Sequence, residues 1–150
     1  MSTLVILDTG VLGLVTHTSD EPEPRQCKAW LKGLLEKGYL IYVPEIADYE
    51  LRRKLLHRNK QKSIQRLDQL KSTIGFVPIT TRAMLKAAEF WAEARKAGKP
   101  TADEKALDGD VILAAQAVLL LGPGDQPIIA TTNVGHLSLF TDARKWQEIE

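Results

Sequence analysis

With 150 residues, 44% hydrophobic and 26% charged, the sequence has the make-up of one compact soluble domain spanning 1–150. A domain of this size buries roughly 70% of the surface that its unfolded chain exposes, and needs no covalent staple. The single cysteine, Cys27, excludes an internal disulfide and any zinc site built from several thiolates, and it suits a reducing cytoplasm.

In chain order, Leu4-Val5-Ile6-Leu7 is a short continuous apolar run closed by Asp8, the pattern of a strand buried on both faces of a parallel sheet. It lacks the basic leader and longer apolar core of a signal peptide, and no run of roughly 20 apolar residues follows anywhere, so a cytoplasmic protein with no membrane span is expected. A helical pattern over about Arg25 to Lys37 precedes a second strand, Leu40-Ile41-Tyr42-Val43. Two further helical stretches, Glu45 to Arg58 and Gln61 to Thr73, lead to a third strand, Phe76-Val77-Pro78-Ile79. Helical patterns over Arg82 to Ala97 and Gly109 to Leu121 then reach a Gly122-Pro123-Gly124-Asp125 turn and a last strand, Pro127-Ile128-Ile129-Ala130-Thr131. Alternation of this kind predicts right-handed β-α-β units and an α/β fold, a three-layer α/β/α sandwich around a mostly parallel sheet. Ten of the eleven residues from Val111 to Leu121 are apolar and only Gln116 is polar, so the last helix is expected to be buried nearly all round.

Acids collect where these elements begin and end. Asp8 closes the first strand, Asp108 and Asp110 stand at the expected start of the apolar helix, and Glu50 lies one turn into the helix after the second strand. At about 100° per residue Glu50 projects between the directions of Ile46 and Ala47, toward the buried face, while Glu45 and Asp48 point elsewhere. Ligands of open α/β sheets bind in the crevice at the carboxyl ends of the strands. Carboxylates gathered there repel one another unless a cation sits between them, and such hard oxygen donors suit Mg²⁺ or Mn²⁺. Each acid also has an ordinary reading: Asp8 as the start of a turn or the cap of a short helix from Thr9, Asp108 or Asp110 as the cap of the apolar helix, Glu50 as a surface partner of Arg53 or Lys54.

Taken together, four segments resemble a known family. Ile6-Leu7-Asp8-Thr9-Gly10-Val11-Leu12 is similar to the opening motif of PIN-domain nucleases, the family of VapC-type toxins, and Pro44-Glu45-Ile46-Ala47-Asp48-Tyr49-Glu50-Leu51-Arg52-Arg53 to the second motif. Leu107-Asp108-Gly109-Asp110-Val111-Ile112-Leu113-Ala114-Ala115-Gln116-Ala117 looks like the third and Thr131-Thr132-Asn133-Val134-Gly135-His136-Leu137 like the fourth. Order and spacing hold from about residue 4 to residue 140. The resemblance implies a PIN-like fold and a Mg²⁺- or Mn²⁺-dependent ribonuclease in which Asp8, Glu50 and Asp110 are catalytic and hold the metal. It also implies a small antitoxin partner and a homodimer. Asn133 stands where the family carries a further Asp, so a neutral oxygen would join the metal set there, with Asp108 as a candidate for restoring the missing charge. Thr9 and Thr131 can donate hydroxyl hydrogen bonds to the acids or serve only the strand ends.

The formal net charge of +1 conceals a basic run in which Arg52, Arg53, Lys54, Arg58, Lys60, Lys62, Arg66 and Lys71 meet one acid, Asp68. Arg52, Arg53, Arg58, Lys60 and Lys62 are the candidates for contacting an RNA backbone, the alternative being a solvated helix face. His136 lies close enough in sequence to Asn133 to meet a phosphate, although a lone loop histidine more often serves the structure; Trp30, Trp91 and Trp146 are read as core or interface residues. Other strand-end-Asp families fit poorly. A haloacid-dehalogenase-type phosphotransferase wants a second acid where Gly10 stands, a receiver domain wants a late strand-end Lys, and no Gly-rich phosphate loop occurs. The rival of a different class is a PIN fold that binds RNA or protein without cutting it.

Overall fold

A computed structural model describes residues 3–98, 104–120 and 124–150. Strand β1 (Thr3–Leu7) leads into α1 (Thr9–Thr16) and α2 (Pro22–Glu36), and β2 (Leu40–Pro44) into α3 (Glu45–His57) and α4 (Gln61–Thr73). After β3 (Gly75–Val77) come α5 (Thr81–Lys96) and α6 (Glu104–Leu119), then β4 (Gln126–Thr131), a 3-10 turn at Leu137–Leu139, β5 (Ala143–Lys145) and a second 3-10 turn at Trp146–Glu148. The five strands form one sheet in the order β3-β2-β1-β4-β5, with every pairing parallel.

Period-two alternation divides the core. Val5, Leu7, Ile41, Val43, Ile128 and Ala130 face α1 and α2, where Cys27, Leu31, Leu34 and Trp146 close the layer. Leu4, Ile6 and Ile129 face Leu113 and Ala117 of α6 on the other side. Helix α5 then covers the outer flank of α6 through Ala87, Phe90 and Ala94 against Leu107, Val111 and Ala114. Sheet on one side and α5 on the other explain why α6 is apolar around nearly its whole circumference. The three-layer α/β/α sandwich is thus observed. Trp30 and Trp146 meet at 5.6 Å on the α2 side, and burial pushes the Cys27 thiol up to about 12, leaving it protonated and unreactive. No helix among the described residues is long and apolar enough to cross a membrane.

The exceptional polar residue of α6 has a structural purpose. Gln116 is 1% exposed; its amide nitrogen donates to the Val77 carbonyl at 2.7 Å, and its amide oxygen accepts from the Ile46 amide at 3.2 Å. Pro44 precedes α3 without offering a side-chain cap, so Ile46 N–H is one of the orphan donors that a helix start must satisfy. Gln116 satisfies it from across the core and thereby fixes the start of the helix that carries Glu50.

Several boundaries differ from the sequence reading. Helix α6 starts at Glu104, so Asp108 and Asp110 lie inside it and neither caps it. The short helix from Thr9 is present as the two-turn α1 capped by Asp8, but α2 begins at Pro22 because proline is tolerated in a first turn, and β3 is shifted to Gly75–Val77. Leu121 and the Gly122-Pro123 part of the expected turn lie outside the described residues.

Candidate functional site

Because all five strands run in parallel, their carboxyl ends share one edge. The chain leaves β1 toward β2 and arrives in β4 on the other side, so the crevice opens between β1 and β4. Asp8 occupies that point. Its backbone N–H extends the ladder to the Ala130 carbonyl at 3.0 Å, its Oδ1 accepts from the Val11 amide at 2.8 Å, and its Oδ2 accepts from the Thr131 hydroxyl. Asp8 therefore is the cap of α1, and it also faces the crevice. Thr131 is fully buried, and its hydroxyl oxygen accepts from the Asn133 amide at 3.0 Å, which locks the exit of β4 against Asp8.

Glu50 reaches the same place from α3. Its Oε1 accepts from the Thr9 hydroxyl at 2.8 Å, and its other oxygen rests against Gly109 of α6. The next residue is Asp110, whose Oδ2 stands 3.4 Å from His136 Nδ1. Asp8, Glu50 and Asp110 open on one cavity of about 210 Å³, completed by Thr9, Gly109 and Leu113. Asp108 does not join them. Two residues turn it about 200° around α6, where it is exposed and lines a separate groove with Met84, Ala87, Trp91 and Val111. Asn133 is exposed at the exit of β4 and is not part of the cavity lining.

Burial raises the pKa of Asp8 above its ordinary 3.8, against the opposing effect of the Thr131 and backbone hydrogen bonds. Burial also raises Asp110; His136 pulls it back, while the charges of Glu50 and Asp8 push it further up. The acids thus repel one another across the cavity. They ring it rather than clasp a point, and among the described residues no three His, Cys, Asp or Glu side chains stand close enough to hold one ion as they are. The chemistry of the set still fits a hard divalent cation: the ionisable donors lining the cavity are carboxylates, no sulfur is among them, and their repulsion is what a cation would relieve.

The basic segment divides into two parts. Arg52 is held by Asp48 at 2.9 Å and by Asp68 at 2.7 Å, and Lys71 adds an ion pair to Asp48 at 3.5 Å. Asp48, which does point away from Glu50, is thereby buried with its charge neutralised between α3 and α4. Arg53 stacks 5.0 Å above the Tyr49 ring, and Arg66 donates to the His17 carbonyl at 2.9 Å. Arg58, Lys60 and Lys62 are exposed and have no carboxylate partner among the described residues. Arg58 and Lys60 line a groove of about 250 Å³ with Lys54, His17, Gly13 and Gly10.

Sequence reasoning underweighted Thr9, Thr131, His136 and Gly109. The hydroxyls of Thr9 and Thr131 do hold acids of the cavity, and a strand-end threonine beside an acid was the available signal. His136 approaches Asp110 although nothing in its loop sequence announced it. Gly109 supports Glu50 across 59 residues of chain, a relation no local pattern can encode.

No curated protein matches the sequence at a significant level. Among solved structures, the chain is similar to one from VapBC2 of Rickettsia felis bound to a DNA fragment from their promoter. The TM-score is 0.72 at 16% identity, with 95% of this chain and 98% of that chain covered. FitAcB from Neisseria gonorrhoeae gives a TM-score of 0.67 at 20% identity, covering 97% and 99%. VapBC-1 from nontypeable Haemophilus influenzae gives 0.66 at 16%, also covering 97% and 99%. At such identities these likenesses speak for the fold. The PIN domain matches residues 5–149, nearly the whole chain, and with the parallel 3-2-1-4-5 sheet and its acid-lined edge this shows that the protein belongs to the PIN-domain family.

Proposed function

We propose that the protein is a Mg²⁺- or Mn²⁺-dependent ribonuclease that hydrolyses RNA phosphodiester bonds, acting as the toxin of a toxin-antitoxin pair. The observation that carries this reading is the meeting of Asp8, Glu50 and Asp110 on one cavity at the β1/β4 crevice, with burial raising two of the three. These carboxylates would hold the cation, and Asn133 would add a neutral oxygen from the rim; Asp108, on the other flank of α6, is left out of the set. When bound, the metal supplies Lewis acidity at the phosphoryl group and a water acidified toward neutral pH. The chain's own part is orientation. Thr9 and Thr131 each fix one oxygen of an acid, Gln116 fixes the start of α3, and Leu113 forms an apolar wall of the cavity.

Arg58 and Lys60 line a groove on the flank of α1, the helix whose first residue, Thr9, lines the cavity, and there they would neutralise the phosphates of a bound chain. Replacing Arg58, Lys60 and Lys62 together with Ala is expected to weaken RNA binding and to flatten the slope of log K against log salt by roughly two units, near 0.7 for each phosphate of a single strand that the variant leaves unneutralised. An unchanged slope would assign the segment to solvation or to a protein partner. The structural neighbours include VapBC toxin-antitoxin complexes, which support an antitoxin as the partner of this chain; the homodimeric state rests on the resemblance to the family alone.

The neutral Asn133 supports one rival, a PIN fold that binds RNA without cutting it. Metal dependence decides between them. Cleavage of a labelled RNA is expected to fall at least about a hundredfold in excess chelator and to return with Mn²⁺, since the acids alone offer no acidified water at neutral pH. RNA that is bound yet stays intact with Mg²⁺ and with Mn²⁺ would favour the binding module.

A further inference from the structure

Gly109 is an anomaly within α6. It sits in the interior of a helix, where glycine is the least favourable residue after proline, and its φ is not positive, so the backbone there asks for no glycine. Space gives the reason. A Cβ built on Gly109 would stand 2.9 Å from Glu50 Oε2, 3.5 Å from Cδ and 3.6 Å from Oε1, the three nearest atoms apart from its chain neighbours and the backbone of its own helix turn. The other side of the same carboxylate is pinned by the Thr9 hydroxyl at 2.8 Å. The Glu50 carboxylate is thus seated between α1 and α6, in the volume that a side chain at position 109 would take.

We propose that Gly109 is a positioning residue whose missing side chain seats the Glu50 carboxylate in the cavity beside Asp8 and Asp110. The inference rests on the reading of those acids as the metal site. A methyl group at 109 meets only the far end of a flexible side chain, so the fold can absorb it by swinging Glu50 aside. That displacement removes the carboxylate from Thr9 and from the cavity. Helix propensity and site geometry therefore pull in opposite directions at this position, which separates a positioning role from a structural one.

The test compares Gly109→Ala with the parent by crystal structure, thermal melting and calorimetric Mn²⁺ titration. Gly33→Ala on α2, where an added Cβ meets nothing within 4 Å, serves as the helix-glycine control. Gly109→Ala is expected to melt at or a few degrees above the parent, to show Glu50 displaced from Thr9, and to bind Mn²⁺ roughly 10- to 100-fold more weakly, as loss of an outer support does. The control should bind as the parent does. Shortening the acid should then reverse sign: Glu50→Asp weakens Mn²⁺ binding in the parent but partly restores it beside Gly109→Ala. Glu50 left in place in the variant crystal, parental Mn²⁺ affinity, or a melting temperature lower by more than about ten degrees would each overturn the inference. A parent that binds no Mn²⁺ would overturn the metal-site reading instead, while the crystal comparison would still decide whether Gly109 seats Glu50.

Discussion

Asp110→Asn is expected to lower RNA cleavage at least about a hundredfold and, at the same time, to raise the melting temperature of the metal-free protein at neutral pH. The first effect follows from removing a charge that would hold the cation, a larger loss than the 10- to 100-fold typical of an outer-shell partner. The second follows from the pKa direction. Burial, together with the charges of Glu50 and Asp8, holds Asp110 above its ordinary 3.8. Between that value and the raised one the native state binds more protons than the unfolded state, so stability falls as pH climbs through the window, and the penalty is fully present above it. Asparagine carries no such penalty and keeps an oxygen toward His136. Mn²⁺ should reverse the order by binding the native parent and raising its melting temperature while leaving the variant's unchanged. Asp8→Asn should lose cleavage to a similar extent and stay folded, because asparagine caps helices about as well as aspartate. Labelled-RNA cleavage, circular dichroism and melting with and without Mn²⁺ make the comparison. A folded variant of either acid that cuts at the parental rate would sink the site assignment.

The elements most legible in the sequence were those whose side chains must satisfy burial on a fixed period. The strands β1, β2 and β4 are continuous apolar runs because the sheet is covered on both faces, and α6 is apolar all round because it lies between the sheet and α5. Strand β5 was invisible for the converse reason. Ala143, Arg144 and Lys145 pair with Ile129, Ala130 and Thr131 at the sheet's edge, and of the three only the small Ala143 packs on the core, which leaves almost no mark on composition. Helix α1 was half-legible: Asp8 signals a cap, but two glycines within eight residues hide the helix that follows. Within the site, the three acids that share the cavity were read from one strand end, one helix face and the resemblance that singled out Asp110. Asp108 was misplaced because the start of α6 was set too late; with the helix running from Glu104, Asp108 turns to the opposite flank. Arg52 shows the limit of counting charge along a segment, since its guanidinium lies between Asp48 and Asp68, partners 4 and 16 residues away.

The two glutamates of α3 provide the sharpest contrast in expected effect. Glu50→Gln should reduce cleavage at least about a hundredfold, beyond the range for an outer-shell partner, and Glu45→Gln should leave it within about twofold, as for a substitution clear of any special feature. The two positions are five residues apart, about 140° around the helix, so they serve different neighbours. Glu45 Oε1 accepts from the Ile79 amide at 2.6 Å, tying the exit of β3 to the start of α3, and a glutamine oxygen can accept that bond equally well. At position 50 the glutamine is also isosteric, and its carbonyl can still accept from the Thr9 hydroxyl, so the geometry is kept and only the charge is lost. Any fall in activity then reports the charge. Measured Mn²⁺ affinity should follow the same order, weakened for Glu50→Gln and parental for Glu45→Gln. The reverse pattern, an inactive Glu45→Gln beside an active Glu50→Gln, would place the catalytic face of α3 on the side toward β3 and remove Glu50 from the metal site.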